Sequence, residues 1–354
     1  MQYDAGMAKE SEGKRAQKAL VGAGKGVDAA IKNLLRKRAR GPAARMYGML
    51  GYALGYADHT FKLKNGIDRG KRFRSALCLL VAEMYGAREK AFDAALAIEL
   101  FHNASLIHDD VEDRSAMRRG RPSLWKLCGE AHAINAGDAL FAIANEAASA
   151  ASGSEILFEA FREVIEGQYL DFELSSSRAG RVVSEKQYLH MIERKTAALV
   201  RASVEVAGVA AGKSIRERKH LREYGTTIGI AFQIADDYRS IWSPASETRK
   251  DAYGDIRERK RALPFIFARR ALQNPRELDR FYGLERQLTD REVAHVRTII
   301  DSTNARSRVL LSVQAHAQRA RDAAAALSIT PNNRRILIEL VDALIPEAAP
   351  PTRS

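Results

Sequence analysis

The sequence predicts an all-α protein, a large single-domain helical bundle. Apolar residues recur at the 3.6-residue spacing of helices over most of residues 43–343, as in 75–84, 92–107 and 134–151. Stretches that alternate polar with β-branched residues, as strands do, are missing. Proline is scarce, with nine residues, and most of them fall at the edges of the apolar segments. Together these observations favour helices throughout.

The chain divides into three parts in order. Residues 1–42 are a basic arm rich in Lys, Gly and Ala, which we expect to be flexible or partly helical. Residues 43–345 hold the helical domain, and residues 346–354 form a proline-rich tail. Breaks between helices are predicted at five segments rich in Gly, Ser, Asn or charge, near 64–70, 117–123, 173–184, 243–260 and 303–306.

The formal net charge of +13 indicates an anionic partner. The first 46 residues carry six Lys and five Arg against four acids, a net of +7, which leaves +6 on the other residues. Nucleic acid is not the expected partner, because aromatic residues are only 7% and the basic residues cluster near aspartates instead. A small phosphorylated substrate fits this distribution better.

Composition also bears on location. The two cysteines, Cys78 and Cys128, cannot build a disulfide framework, so a reducing compartment is expected. The basic arm lacks the apolar segment of a signal peptide, and nowhere are there 18 consecutive apolar residues. We therefore expect a cytoplasmic protein without a transmembrane segment.

Paired acids end a mostly apolar helical run, in the segment HDDVED at residues 108–113. On a helix Asp109 and Asp113 share one face, and Asp110 lies about 100° round from Asp109. Carboxylates at the end of a buried helix repel one another and lose hydration unless a cation joins them. Oxygen ligands of this kind suit Mg²⁺ that bridges to substrate phosphates. Taken alone, the motif would equally suit a solvated acidic helix end.

A second pair of acids, Asp236 and Asp237, ends another apolar run at residues 228–235. Basic residues accompany both pairs: Lys71, Arg72 and Arg74; Arg118 and Arg119; Lys195; Lys250, Lys260 and Arg261. Two acid clusters with several Lys and Arg residues are what a protein needs to hold polyphosphate, through bridging metals and forked guanidinium groups.

In this order the motifs resemble those of the trans-isoprenyl diphosphate synthase (polyprenyl synthetase) family, which includes farnesyl and geranylgeranyl diphosphate synthases. The resemblance rests on Gly-Lys-x-x-Arg at 70–74, Ser-Leu-Ile-His-Asp-Asp-x-x-Asp at 105–113, Arg-Arg-Gly-x-Pro at 118–122, Gly137-Asp138, Gly167-Gln168, Lys195-Thr196 and Phe232-Gln233-x-x-Asp236-Asp237. It implies the isoprenoid synthase type of helical bundle, with two aspartate motifs facing each other across a central cavity. The implied reaction elongates an allylic diphosphate with isopentenyl diphosphate.

The resemblance also implies a role for each matching residue. The implied Mg²⁺ ligands, for three ions per site, are Asp109, Asp110, Asp113 and Asp236, with Asp237 beside them. The implied allylic diphosphate ligands are Arg118, Lys195 and Lys260, and the neighbouring Lys250 is predicted to bind substrate too. The implied isopentenyl diphosphate ligands are Lys71, Arg74, His102 and Arg119. Thr196 and Gln233 match residues near the developing carbocation, and the family usually forms homodimers.

Residues upstream of the first motif predict the product length, which in this family depends on the cavity floor there. Ala104 and Ser105, five and four residues before Asp109, are small and leave open the floor of farnesyl-type enzymes. Phe101 lies roughly one helical turn deeper, at about 5.4 Å per turn. The predicted product is therefore the C20 compound geranylgeranyl diphosphate. A C25 or longer product stays open, because the sequence does not show which residues of the facing helix close the cavity.

Four positions depart from the family pattern. Ser240 stands where the second motif normally has a third acid, and we expect its hydroxyl to hydrogen-bond a metal-bound water. Ser75 replaces the common Pro after Gly-Lys-x-x-Arg. Tyr253 and Arg259 differ from the Gly-rich loop around the lysine that Lys260 matches.

Two other functions stay open. A class I terpene cyclase of the same fold would ionise a prenyl diphosphate without condensing it, and Ser240 favours this alternative. The intact isopentenyl-binding set argues against it. A non-catalytic synthase subunit is the second alternative, but such subunits usually lose the first aspartate motif, which this chain retains.

Overall fold

The computed structural model describes residues 14–64, 70, 72–175, 182–243 and 253–346, and that part of the chain is largely helical. In chain order the helices are α1 (14–23), α2 (Val27–Arg38), α3 (Ala44–Ala53), α4 (Phe73–Met84), α5 (Phe92–Glu112), α6 (Leu124–Cys128), α7 (Glu130–Ala150), α8 (Ser154–Ser175), α9 (Glu185–Ile192), α10 (Ala198–Ala210), α11 (Ile215–Trp242), α12 (Gly254–Arg257), α13 (Leu263–Ala271), α14 (Arg276–Tyr282), α15 (Asp290–Asp301), α16 (Ala305–Ala325) and α17 (Pro331–Asp342). Short 3₁₀ turns at Gly41–Ala43 and Glu89–Ala91 precede α3 and α5. The predicted all-α class is confirmed. Within the described ranges, no helix has the length and hydropathy needed to cross a bilayer.

Helix α5 runs through the middle of the bundle, where it packs along α7 and also contacts α4, α8 and α10. Its residues Ile98, Leu100 and Ala104 are fully buried, because this helix is apolar around most of its circumference. A second apolar core forms around the C-terminal half of α11 and α13, α15 and α16. The two aspartate motifs lie at the ends of α5 and α11, so each core presents one motif.

The described part of the basic arm is helical and packs on the first core. Val27, Ile31 and Leu35 recur along one face of α2 and are all buried. Arg36 and Lys37 lie at the end of the same helix and remain exposed. The apolar spacing within the arm is therefore that of an amphipathic helix, and its charge lies on the solvent side.

A two-stranded antiparallel hairpin, Met117–Arg118 with Arg121–Pro122, follows α5 and falls in the predicted break at 117–123. Two-residue strands are too short to show the alternation that marks a strand in sequence, so the hairpin was not predicted. The hairpin directs the chain back past the end of α5 and sets Arg118 beside the first aspartate motif.

The helical run from α9 to α10 contains a π-helical turn at Glu193–Ala197. Helix α8 crosses this turn so closely that a Cβ atom on Gly167 would lie 2.2 Å from the backbone nitrogen of Lys195. Only glycine permits this approach. Single π turns inside helices often mark functional sites, and this one carries Lys195 and Thr196.

Candidate active site

Two adjoining cavities lie between the ends of α5 and α11. A polar cavity of about 250 Å³ contains acids of both motifs, and an apolar cavity of about 430 Å³ extends from it between α5 and α8. They share the lining residues Leu106, Asp109, Lys195 and Thr196. The two cavities therefore adjoin at these four residues, and one is mainly polar while the other is mainly apolar.

The first motif occupies the last turn of α5. Arg118 forms ion pairs with two acids of this motif. The Nη2 atom of Arg118 lies 2.7 Å from Oδ1 of Asp110 and 3.2 Å from Oδ2 of Asp109. The Asp110 side chain is almost completely buried. A forked guanidinium can bridge two carboxylates in this way and offset their mutual repulsion. Arg118, matched above to a substrate ligand, is thus also the local counter-ion of the motif.

Lys195 links the first motif to α8. Its ammonium nitrogen lies 2.5 Å from Oδ2 of Asp171 and 3.7 Å from Oδ1 of Asp109. Although burial opposes it, Asp171 and then Asp109 raise the pKa of Lys195, so the side chain stays cationic. Gln168, one turn before Asp171, donates from Nε2 to Asp109 at 3.1 Å and to Glu112 at 2.9 Å.

Asp171 was missed in the sequence. The signal was present, since Gln168 and Asp171 are three residues apart and face the same way on α8. Asp171 matters to the site because it contacts Lys195, however, and these two residues meet only because α8 crosses the π turn.

The second motif lies in the last two turns of α11. Asp237 is buried and accepts hydrogen bonds from the hydroxyl of Tyr188 and from Nε2 of Gln233, the latter at 2.9 Å. Gln233 in turn accepts at 2.8 Å from the hydroxyl of Thr196. Burial, followed by the charge of Asp255, raises the pKa of Asp237 well above its usual range. Neutral donors thus orient this carboxylate but do not neutralise its charge.

The crowded carboxylates provide a test of the implied metal ions. The Asp113 carboxyl lines the polar cavity, where desolvation and the neighbouring Asp109 raise its pKa to about 6. Over the described ranges, no three acidic, His or Cys side chains converge tightly enough to form a ready-made metal cage. An all-oxygen set of raised-pKa acids on two walls of one cavity fits Mg²⁺ ions that share their coordination with phosphate oxygens.

A cluster of basic residues lies behind the first motif. Nη1 of Arg74 is 3.1 Å from Nε2 of His102, and a Cβ atom on Gly70 would lie 2.9 Å from a guanidinium nitrogen of Arg119. Gly70 also has a φ of +75°. Burial, then Arg74 and Arg119, lower the pKa of His102 well below its usual range, so His102 is neutral. Lys71, predicted to join this cluster, lies outside the described residues.

A buried carboxylate fixes the start of α4 in this cluster. Glu99 accepts from Nη1 of Arg72 at 2.8 Å and from the hydroxyl of Ser75 at 2.7 Å. Ser75, in place of the family's usual Pro, therefore helps to tie the start of α4 to α5. This contact accounts for the departure in physical terms.

Lys260 lies at the wall of the polar cavity opposite the first motif, 2.8 Å from Oε2 of Glu258. Two residues that precede Lys260, Tyr253 and Arg259, have positive φ values of +65° and +54° although neither is a glycine. Tyr253 is anchored by a hydrogen bond from Arg297 to its hydroxyl. Such backbone costs about 1 kcal/mol per residue, which contacts of this kind offset. Lys250 lies outside the described residues.

The apolar cavity ends in aromatic rings. Phe141 of α7 lines it, and the ring of Phe101 lies behind, 5.0 Å from that of Phe141 and stacked at 3.9 Å on Phe161. Ser105 lines the cavity, whereas Ala104 is fully buried. Phe101 is thus part of an aromatic cluster. The member of this cluster that lines the cavity is Phe141 of the neighbouring helix α7, which was not identified from the sequence.

Comparison with known proteins identifies the family. The polyprenyl synthetase family model matches residues 62–300, more than half of the chain. The chain therefore belongs to the polyprenyl synthetase family, and the resemblance found in the motifs is confirmed.

Individual relatives agree with this membership. The chain is 39% identical over 241 residues to "(2E,6E)-farnesyl diphosphate synthase" of Mycobacterium tuberculosis, covering 66% of each chain. It is 36% identical over 241 residues to geranylgeranyl diphosphate synthase of Methanosarcina mazei, covering 66% of this chain and 72% of that one. The match to the first of these relatives spans just under two thirds of its length.

A solved structure extends the likeness to the fold. The polyprenyl synthase from Caulobacter crescentus, complexed with calcium and isoprenyl diphosphate, is 30% identical and has a TM-score of 0.79. The superposition covers 94% of this chain and 98% of that one. The isoprenoid synthase type of bundle predicted for residues 43–345 is thus supported well beyond the motifs.

Proposed function

We propose that this protein elongates an allylic diphosphate with isopentenyl diphosphate, giving geranylgeranyl diphosphate. The observation that carries the proposal is that the polar and the apolar cavity adjoin and share Asp109, Lys195 and Thr196. The polar cavity holds two sets of acids with lysines and arginines between them, as a diphosphate with its metals requires. The apolar cavity fits a growing hydrocarbon chain.

The metal ions in this proposal are three Mg²⁺ per site. Asp109, Asp110 and Asp113 would hold them on one side, and Asp236 with Asp237 on the other. When bound, Mg²⁺ neutralises negative charge on the allylic diphosphate and makes it a better leaving group. The raised pKa values of Asp113 and Asp237 support the assignment, because nearby cations relieve the crowding that raises them. The Caulobacter relative with bound calcium supports a divalent ion in this family.

The protein's own cations bind and orient the two substrates. Lys195 and Lys260 face the polar cavity and suit the allylic diphosphate. Arg74, His102 and Arg119 suit isopentenyl diphosphate. Arg74 and His102 line the apolar cavity beside Asp109, and the neutral imidazole adds no charge there. Asp109 lines both cavities and would lie between the two diphosphates.

The reaction then depends on orienting the two substrates and excluding water, and it needs no acid–base side chain. The allylic C–O bond breaks with its electron pair on the diphosphate, and the double bond of isopentenyl diphosphate attacks the cation to form a C–C bond. A proton then leaves the adjacent carbon, and the released diphosphate is the nearest base. Thr196 and Gln233 place polar oxygens beside the junction of the cavities, and the apolar walls exclude water from the cation.

The test is product analysis by mass spectrometry. The protein is incubated with isopentenyl diphosphate, Mg²⁺ and, separately, dimethylallyl, geranyl or farnesyl diphosphate. We expect isopentenyl incorporation and a C20 end product. No incorporation with any of the three primers would refute the proposal.

The product length depends on the floor of the apolar cavity. We infer that Phe141, supported from behind by Phe101, limits the chain, while Ser105 leaves the upper wall open. Removing either ring lengthens the cavity, so Phe141→Ala and Phe101→Ala are expected to yield C25 or longer products. An unchanged product length for both variants would show that neither ring is the floor.

A terpene cyclase remains the second candidate, because Ser240 in place of the third acid favours it. It would consume geranylgeranyl diphosphate alone and release a hydrocarbon, whereas a synthase leaves that substrate unchanged without isopentenyl diphosphate. The Arg74, His102 and Arg119 cluster argues for the synthase. The third reading, a non-catalytic subunit, predicts no turnover in either assay.

The proposed active form is a homodimer. Phe158, Ile165 and Tyr169 of α8 have exposed fractions of 40%, 57% and 63%, and Ile134 of α7 adds to the same apolar character. Ile165 and Tyr169 also line the apolar cavity, so a second copy seated on α8 would cover its outer wall. Light scattering after gel filtration tests this, and a monomer would contradict it.

A further inference from the structure

The second aspartate motif lacks its third acid, and the structure shows a contact of the replacing residue, Ser240, that the sequence did not predict. The hydroxyl of Ser240 accepts a hydrogen bond from the backbone nitrogen of Asp255 at 3.1 Å. The sequence led us to expect this hydroxyl to contact a metal-bound water. The contact with Asp255 ties the end of α11 to the start of α12.

Asp255 stands at the same cavity as the second motif. It lines the polar cavity together with Asp236 and Asp237. Its charge is the main influence, after burial, that raises the pKa of Asp237, so the two carboxylates are close in electrostatic terms. The backbone carbonyl of Asp255 also accepts from the backbone nitrogen of Lys260 at 2.9 Å. The backbone of Asp255 is therefore held at its N–H by Ser240 and at its carbonyl by Lys260.

We propose that Asp255 supplies the third carboxylate of the second metal cluster, and that Ser240 is a positioning residue that holds Asp255 there. The inference rests on the proposed function, because it needs a metal-bound diphosphate in the polar cavity. The acid normally found four residues after Asp236 on α11 is thus replaced by one from another helix. The serine that took its place became the anchor for that helix.

The test measures Mn²⁺ binding by electron paramagnetic resonance in the presence of inorganic pyrophosphate, without turnover. Asp255→Asn is expected to weaken Mn²⁺ binding about tenfold, and Asp255→Glu to restore part of it. Asp290→Asn is the matched control, because Asp290 pairs with Arg257 of the same short helix at 2.7 Å but lies outside the cavity. Thermal unfolding of each variant checks that the fold persists.

Ser240 needs its own readout. Ser240→Ala removes one hydrogen-bond acceptor and is expected to weaken Mn²⁺ binding about threefold, whereas Ser240→Thr keeps the hydroxyl and the affinity. If Ser240 acts through Asp255, Ser240→Ala has no further effect in the Asp255→Asn background. If the double variant weakens Mn²⁺ binding by the product of the two single effects, Ser240 acts independently of Asp255 and its positioning role is overturned.

The outcomes separate this inference from the proposed function. If the wild type binds Mn²⁺ with pyrophosphate and Asp255→Asn binds it with the same affinity, the inference about Asp255 is overturned. The proposed function is then unaffected. A wild-type protein that binds no Mn²⁺ with pyrophosphate would overturn the proposed function as well.

Discussion

The two aspartate motifs end similar apolar helices, but the protein treats their charges differently. In the first motif Arg118 and Lys195 lie against Asp109 at 3.2 and 3.7 Å. In the second, Asp237 is hydrogen-bonded to the neutral side chains of Tyr188 and Gln233. Asp109 and Asp110 of the first motif are therefore paired with cations of the protein, whereas Asp237 of the second motif is held by neutral donors.

This difference indicates how the site responds to its ligands. A carboxylate paired with lysine or arginine stays ionised and ordered without metal. A buried carboxylate with neutral partners takes up a proton more readily, as the raised pKa of Asp237 indicates. We infer that the second wall gains most from metal and diphosphate binding.

The largest effect is expected from the first motif. Asp109→Asn removes the acid at the junction of both cavities and is expected to lower kcat/KM by about 10³-fold, since several kcal/mol of transition-state stabilisation depends on the bound metals. Asp93→Asn, at the other end of α5, is the control and should have wild-type activity. Turnover by the Asp109 variant within tenfold of wild type would break the comparison.

A smaller loss is expected at the second motif. Asp237→Asn forces an amide NH₂ against Tyr188 or Gln233, both of which already donate to Asp237, and should lower kcat/KM between about tenfold and 100-fold. Asp301→Asn is the control, because Asp301 also accepts from a neutral donor, Nε1 of Trp242 at 2.7 Å, outside the cavity. Equal losses at Asp237 and Asp301 would point to damage of the fold instead.

The support of Lys195 offers a third, weaker test. Asp171→Asn leaves Lys195 with Asp109 alone, so its ammonium is expected to move and kcat to fall about tenfold. Glu166→Gln is the matched control, because Glu166 pairs with Arg194, the neighbouring cation of the same π turn. If both variants lose equal activity, the loss reflects a general destabilisation of the π turn and not the position of Lys195.

The smallest effect is a difference in pH dependence. The folded pKa of Asp113 is about 6, above the usual value of 3.8, so the metal-free folded state binds more protons than the unfolded state between these values. Stability should therefore fall as pH rises from about 4 to about 6. Asp113→Asn removes this dependence, so it should be more stable than wild type at pH 7 and equal below pH 4. Thermal unfolding without metal measures both, and parallel curves would contradict the shift.

Sequence reasoning predicted the features that depend on local spacing, namely the fold class and the place of the first motif at a helix end. The all-α class followed from apolar periodicity, and the acids of the first motif followed from their positions on a single helix. It failed where residues meet through tertiary contacts. The pairing of Asp171 with Lys195 depends on Gly167 at a helix crossing, and the anchoring of Asp255 by Ser240 joins two helices across a loop. No spacing rule encodes either contact.

The cavity floor shows the same limit. Phe101 was found because it lies on the same helix as the first motif, eight residues upstream. Phe141, which faces the cavity, belongs to α7, and its position depends on how α7 packs along α5.

The central claim is that two unlike walls hold metal ions around one diphosphate. Anomalous diffraction from crystals grown with Mn²⁺ and inorganic pyrophosphate tests it most directly. We expect Mn²⁺ on both sides of the pyrophosphate, with Asp109 and Asp113 on one side and Asp236, near Asp255, on the other. Mn²⁺ bound at the first motif alone, or pyrophosphate bound without metal, would contradict it.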